Sequence, residues 1–475
     1  MKGKGQQLLP AQRTTPIIVQ NGGDGERAPF LAEPVRLTPA WEASNLPNDE
    51  LNFKGMTMER AKMEISPPYD RYRLVFLTFV LHGLGTLMPW NMFITAKKYF
   101  VDFKLDTGIE TTYATNFLAY LGFAAQIPNV VFNWLNIFVS LGGNLTTRIV
   151  WSILIEVIIF VITVILAMTD SSEWPGAFFW ITMISVVLIN MANGIYQNTV
   201  YGMAAKLPIK YTGAVVLGSN ISGLFATIIS MTSSAVASSD RTAAIYYFIT
   251  AMLILLICFD TYFALPLNKF YRYHEILNEK ESEKHKTFGN VRPPYWQIFK
   301  QSSLQLFNVF FVFFVTLSVF PAVHSDVKVY DEHFIVPKSY FSDVTCFLTF
   351  NFFAMLGSLV TSWIRWPKPK YLIWPIVARV VFIPLFLFCN YRPRNINRIL
   401  PVYITNDYGY WIIAVIMSFS SGYLSSLGMM YAPQTVSQKY AVTAGMFAAA
   451  MLITGIFSGI IFSMVFPLLV ENVGW

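Results

Sequence analysis

Long apolar stretches alternate with short polar ones along most of this chain, and eleven of the stretches are long enough to cross the ~30 Å hydrocarbon core of a bilayer. Their approximate limits are 74–96, 113–139, 147–169, 177–204, 211–237, 242–266, 302–323, 338–364, 371–390, 408–432 and 440–470. The connections are short except 267–301, whose charged run HEILNEKESEKHK divides the spans into six and five. Residues 1–66 carry scattered Pro, Gly, Gln and Asn with few aromatics and read as a disordered tail. The pattern predicts an all-α polytopic membrane protein, with spans over 67–266 and 302–475.

Composition agrees: 55% of the residues are hydrophobic and 13% charged, against roughly 25% charged in soluble domains. Lys and Arg concentrate on the side shared by the N-terminus and the 267–301 connection, which predicts a cytoplasmic N-terminus and an extracellular or lumenal C-terminus. Cys258, Cys346 and Cys389 all fall inside apolar segments, so no disulfide framework is implied. No phosphate-binding G-x-x-x-x-G-K-[ST] loop, no His/Cys metal spacing and no G-x-S-x-G elbow occurs. Neither an enzyme, nor a cofactor or metal, nor a nucleic-acid partner is therefore expected.

Polar groups inside the spans carry the functional signal, because lipid does not solvate them. The first span reads GLGTLMPWNMFITA over 83–96, with Pro89 interrupting the apolar run ahead of Trp90 and Asn91. In the second, Gln126, Asn129 and Asn133 share one helical face around Pro128; in the fourth, Asn190, Asn193 and Gln197 do the same. Both prolines predict broken helices, which persist in a membrane only beside protein or a watery cavity. Each amide alone could be interhelical glue, worth ~0.6 kcal/mol; three polar faces in one half of the chain favour a cavity. Gly213, Gly218 and Gly223 in the fifth span predict close helix packing. Glu156, Asp260 and Arg379 are the charges placed within spans, with Arg379 read as a tie between helices and Glu156, with His82, as a candidate for proton coupling.

Several runs then point the same way: Pro89-Trp90-Asn91 followed by MFITAKKYF, QNTVYG at 197–202, CFLTFNFF at 346–353, RVVFIPLFLFCNYRPR at 379–394, GYLSSLGMMYAPQTV at 422–436 and TAG at 443–445. In these motifs and in its six-plus-five division the chain resembles the equilibrative nucleoside transporter family over nearly all of 67–470. The resemblance implies a major-facilitator-like arrangement of an N-terminal bundle (67–266) and a C-terminal bundle (302–475) around a central cavity, with 267–301 as a cytoplasmic loop. It also implies passive transport of nucleosides, and a substrate site lined by Leu87, Trp90, Ile94, Gln126, Asn129, Gln197, Phe347 and Asn351, to which the polar Asn91 beside Trp90 and Ser358 are added as candidates.

One departure stands out. After Asn351 the family usually carries an Asp and, four residues later, an Arg; here these positions are Ala354 and Ser358, and a family glycine in the fifth span is replaced by Asn220. Losing both charges removes two charge-assisted partners for sugar hydroxyls. The preferred expectation is facilitative transport of nucleosides by alternating access. The alternatives are a carrier of nucleobases or organic cations, or a non-transporting receptor or scaffold. The plasma membrane is the expected site, with an endolysosomal membrane as the alternative; protein partners are not legible.

Overall fold

The computed structural model describes residues 68–96, 99–105, 117–139, 144–286, 293–331, 333–338, 340–393 and 396–473. The tail at 1–66 and the start of the second span lie outside them. Six long helices come first: α1 (Leu74–Thr95), α2 (Phe117–Phe138), α3 (Leu145–Met168), α4 (Pro175–Ala204), α5 (Lys210–Val236) and α6 (Asp240–Ala264). Helix α7 (Lys269–Lys286) follows within the charged connection. The second set is α8 (Tyr295–Val319), α9 (Thr349–Val360), α10 (Ile373–Ala378), α11 (Phe382–Phe388), α12 (Asp407–Tyr431), α13 (Ala441–Ser463) and α14 (Val465–Asn472).

Each of the eleven predicted spans is largely helical where described, with turns at the ends of the seventh, eighth and ninth. Ten pass a length-and-hydropathy criterion for crossing a membrane, and α2 is not among them; Gln126, Asn129, Asn133 and Asn136 dilute its apolar run. Two expectations need correction. The 267–301 connection is not a bare loop, since α7 occupies half of it and α8 already begins at Tyr295. Helices α1 and α2 are also not broken: each runs continuously through its proline, Pro89 or Pro128. Packed neighbours hold these helices together, as membrane bundles do for prolines elsewhere.

Outside the spans the first half has a π-helix over Tyr99–Lys104; within the spans the irregular backbone lies in the other half. A π-helix over Asp343–Leu348 leads into α9. A 3-10 turn over Arg379–Val381 separates α10 from α11, where Pro375 and Pro384 bracket the turn and Pro384 has no N–H to give.

Within the first half α1 packs on α5, α2 on α4, and α3 on α4 and α6; within the second, α8 packs on α13 and α9 on α12. Close approach depends on missing side chains. A Cβ on Gly218 would lie 1.9 Å from the Val80 carbonyl oxygen of α1, and one on Gly422 would lie 1.9 Å from that of Ala354, so α12 meets α9 backbone to backbone. The halves join where α4 and α2 meet α13, and where α5 meets α9 and α12. The result is two helical bundles of six and five spans.

Candidate functional site

Helix α5 is the hub between the bundles, and its glycines explain how. Five residues advance a helix by ~140° beyond a full turn, so Gly213, Gly218 and Gly223 face three different neighbours. Gly213 receives the Met430 sulfur of α12, Gly218 the α1 backbone, and Gly223 the Asn351 carboxamide of α9, whose Oδ1 lies 2.1 Å from where a Cβ would be. On the α1 side, Asn91 Nδ2 donates to Ser222 Oγ at 3.1 Å, and Ser219 Oγ donates to the Gly83 carbonyl at 3.1 Å. On the α9 side, Asn220 Nδ2 donates to Ser358 Oγ at 2.5 Å, and Ser358 Oγ donates on to the Gly422 carbonyl of α12 at 3.1 Å. Thus Asn91, Asn351 and Ser358 gather around residues 219–223 of α5. Two of the three expected departures from the family pattern, Asn220 and Ser358, are bonded to each other.

Leu87, Trp90, Asn91 and Ile94 share one stripe of α1 and are all partly exposed, whereas Met88, Met92 and Phe93 between them are buried. Asn351 is likewise partly exposed. Phe347 sits in the π-helix before α9, edge-on to Phe320 with ring centres 5.9 Å apart.

The second group belongs to α2 and α4. Gln126, Asn129, Asn190, Asn193 and Gln197 are all buried. Asn129 is committed to its own bundle: its Oδ1 accepts from Asn133 Nδ2 at 2.8 Å, and its carbonyl presses on Gly194 of α4. Gln126 Oε1, Gln197 Oε1, Asn190 Oδ1 and both polar atoms of Asn193 have no hydrogen-bond partner. A buried amide oxygen without a donor costs about 1–3 kcal/mol, so this face holds acceptor capacity that the fold does not use. Further along, the ladder is satisfied: Asn136 Nδ2 donates to Asn198 Oδ1 at 3.0 Å, and Asn198 Nδ2 to the Met446 carbonyl of α13 at 2.8 Å.

The three charges separate cleanly. Arg379 is buried and makes four bonds, to the Val312 carbonyl (2.9 Å), Thr316 Oγ1 (2.9 Å), Ser420 Oγ (3.2 Å) and the Met417 carbonyl (3.2 Å), on α8 and α12. Asp260 is not buried; it lies on the exposed face of α6, one turn from its end. Glu156 is fully buried with neither oxygen bonded, on the face of α3 turned toward α4 and α6. It keeps company with Tyr196 and Cys258 rather than with the α5–α9 contact. His82 Nδ1 pairs with Tyr196 Oη at 2.7 Å in the same bundle. Two cavities, an apolar one of about 360 Å³ beside Tyr120 and Trp180 and a polar one of about 350 Å³ beside Lys206 and Glu275, lie away from the predicted site residues.

The contacts that join the bundles cluster toward one membrane face. They include Trp134 Nε1 to Thr454 Oγ1 (3.0 Å), Asn198 to Met446, Asn220 to Ser358, Phe138 against Tyr295 and Phe447, and Gly445 against the Tyr201 carbonyl. At the rim, Gln438 Nε2 and Asn278 Nδ2 both donate to the Lys206 carbonyl, at 3.2 and 3.1 Å. Apart from Thr454, near the middle of α13, these residues sit at the ends of α2, α4 and α9, at the starts of α8 and α13, in the first half of α5, or in α7 and the α12–α13 connection. All of these lie on the side of the α6–α8 connection. Toward the opposite side, a Cβ on Gly122 of α2 would meet nothing within 4 Å.

Two membrane bundles joined along one face, with unpartnered amides buried in the first and a partly exposed stripe on α1, define a multi-pass membrane protein with a major-facilitator-like fold. The solved proton:xylose symporter XylE, of the major facilitator superfamily, shares this fold at a TM-score of 0.60 and 12% identity, over 85% of this chain and 90% of that one. The human organic anion transporter MFSD10 matches at 0.50 and 13%, over 85% and 95%. The nucleoside transporter family model matches residues 183–468. Human equilibrative nucleoside transporter 1 is 33% identical over 456 residues, covering 85% of this chain and 99% of that protein, and human equilibrative nucleoside transporter 2 is 30% identical over 458 residues, covering 85% and 98%. The chain belongs to the nucleoside transporter family.

Proposed function

We propose that this chain carries nucleosides down their gradients across a membrane by alternating access. The observation that carries the reading is the one-sided junction of the two bundles: rocking them about the α5–α9 contact would close one entrance as it opens the other. The family membership supports the solute class, since the matched relatives are named as equilibrative nucleoside transporters. In this reading Trp90 offers a stacking face for the base, with Leu87, Ile94 and Phe347 as apolar wall. Gln126 and Gln197 supply acceptors, and Asn351 a carboxamide within reach of the α5 hub. Asn91, Asn129 and Ser358 shape the site from behind, through the bonds that hold α5 and α4.

A neutral set of side chains suits an uncharged solute. An organic cation would call for a carboxylate among them, and the buried Glu156 lies beside Tyr196 and Cys258 in the core of the first bundle. We propose a cytoplasmic N-terminus, on the Lys/Arg asymmetry of the loops, and the plasma membrane as the site of the carrier. Expression in cells lacking nucleoside transporters tests the assignment. Saturable uptake of labelled adenosine or uridine is expected, and an absence of uptake with the protein at the cell surface would overturn it.

A further inference from the structure

The bond between Asn220 and Ser358 occupies an unusual place. It links α5 to α9 across the bundle boundary, one turn of α5 from Gly223 and two turns of α9 from Asn351. Both amide hydrogens of Asn220 are used, one by Ser358 Oγ and one by the Val216 carbonyl of its own helix. The Ser358 proton goes to the Gly422 carbonyl of α12, so the serine lone pair is what holds α5. The bond therefore couples three helices through one hydroxyl, and the Asn220 carboxamide that makes it is itself partly exposed.

Such a bond is replaceable. A solute group that accepts from Asn220 Nδ2, or donates to Ser358 Oγ, satisfies the same atoms without joining the helices. The exchange is between uncharged groups, and a neutral interhelical bond is typically worth about threefold in an equilibrium constant, so a bound solute is able to tip it. A buried ion pair at this place would resist such exchange far more strongly, because separating its members strands a charge.

We propose that Asn220 and Ser358 form a solute-operated latch: in the empty carrier their bond holds the bundles together on the side of the α6–α8 connection, and an uncharged solute bearing adjacent hydrogen-bond donors and acceptors releases it. This rests on the carrier reading above and adds to it the regulation of that site. The two residues are positioning residues for the conformational step.

Met430 reports the latch. It is buried against Gly213 on the closed side, and the native cysteines are buried as well. In the purified full chain carrying Met430→Cys, the rate of maleimide labelling is measured with and without adenosine or uridine. Solute is expected to raise labelling about threefold. N220A and S358A should label at the raised rate without solute and respond no further to it, the double variant should match the singles, and S358T, which keeps the hydroxyl, should restore the parent's behaviour. Melting temperature and elution profile identify any variant that has lost its fold, and S358T and N220A alter different helices. Equal labelling and equal solute response in parent and variants, with saturable uptake intact, overturns the latch. An absence of saturable uptake in the parent overturns the carrier reading instead.

Discussion

Two buried polar sets, one in each bundle, meet the membrane in opposite ways. Around Arg379 every bond is internal: the guanidinium reaches two backbone carbonyls and two hydroxyls on α8 and α12. Across α2 and α4 the amides of Gln126, Asn190, Asn193 and Gln197 are as deeply buried, yet their oxygens lack donors. Saturated polar groups in a bundle are structural, since the fold consumes their capacity. Unsaturated ones are a standing cost to stability, which a protein retains where another molecule collects the benefit. The contrast separates what holds this carrier together from what it offers a solute.

Breaking the saturated set should have the largest effect. Arg379→Leu deletes four charge-assisted hydrogen bonds that tie α8 to α12 and should destabilise the protein by about 3 kcal/mol or more, read as a lower melting temperature in detergent. Whatever folded protein survives should keep its affinity for solute. Gln197→Ala should do the reverse, cutting nucleoside uptake about tenfold, the worth of one well-placed bond, with surface expression and melting temperature unchanged. An equal loss of stability would move Gln197 into the structural set. Gln126→Leu removes an unpaired acceptor, so thermal stability should hold or rise slightly while uptake falls by a smaller factor. Trp134→Phe deletes the indole bond to Thr454 on the closed side. It should cost ~0.6 kcal/mol and shift the balance modestly toward opening there, visible as slightly faster labelling of a buried cysteine on that side.

Hydropathy marks ten of the spans plainly because a membrane helix writes itself into sequence as a run of apolar residues; the amides of α2 blur the eleventh. It gave no hint of α7, whose charged, polar sequence carries no apolar run. The prolines misled for a related reason: Pro89 and Pro128 remove a donor each, but whether a helix breaks depends on neighbours that local sequence does not contain. Asn220 and Ser358 were each visible as departures from the family pattern, 138 positions apart. That one answers the other emerges only when α5 and α9 are brought together. The five-residue glycine step was legible as packing; that it serves three partners in turn follows from helix geometry and could have been read in advance. Asp260 looked costly in the sixth span, and its place one turn from the end of α6, facing outward, removes that cost through access to the interface.

The central claim is that a mobile site, reachable from either membrane face in turn, lets solute equilibrate. Counterflow tests it most directly: proteoliposomes holding the purified chain are preloaded with unlabelled uridine and diluted into a trace of labelled uridine. The account predicts a transient rise of internal label above its equilibrium level, abolished when the preload is omitted. Label that only climbs to equilibrium, with or without the preload, would contradict it.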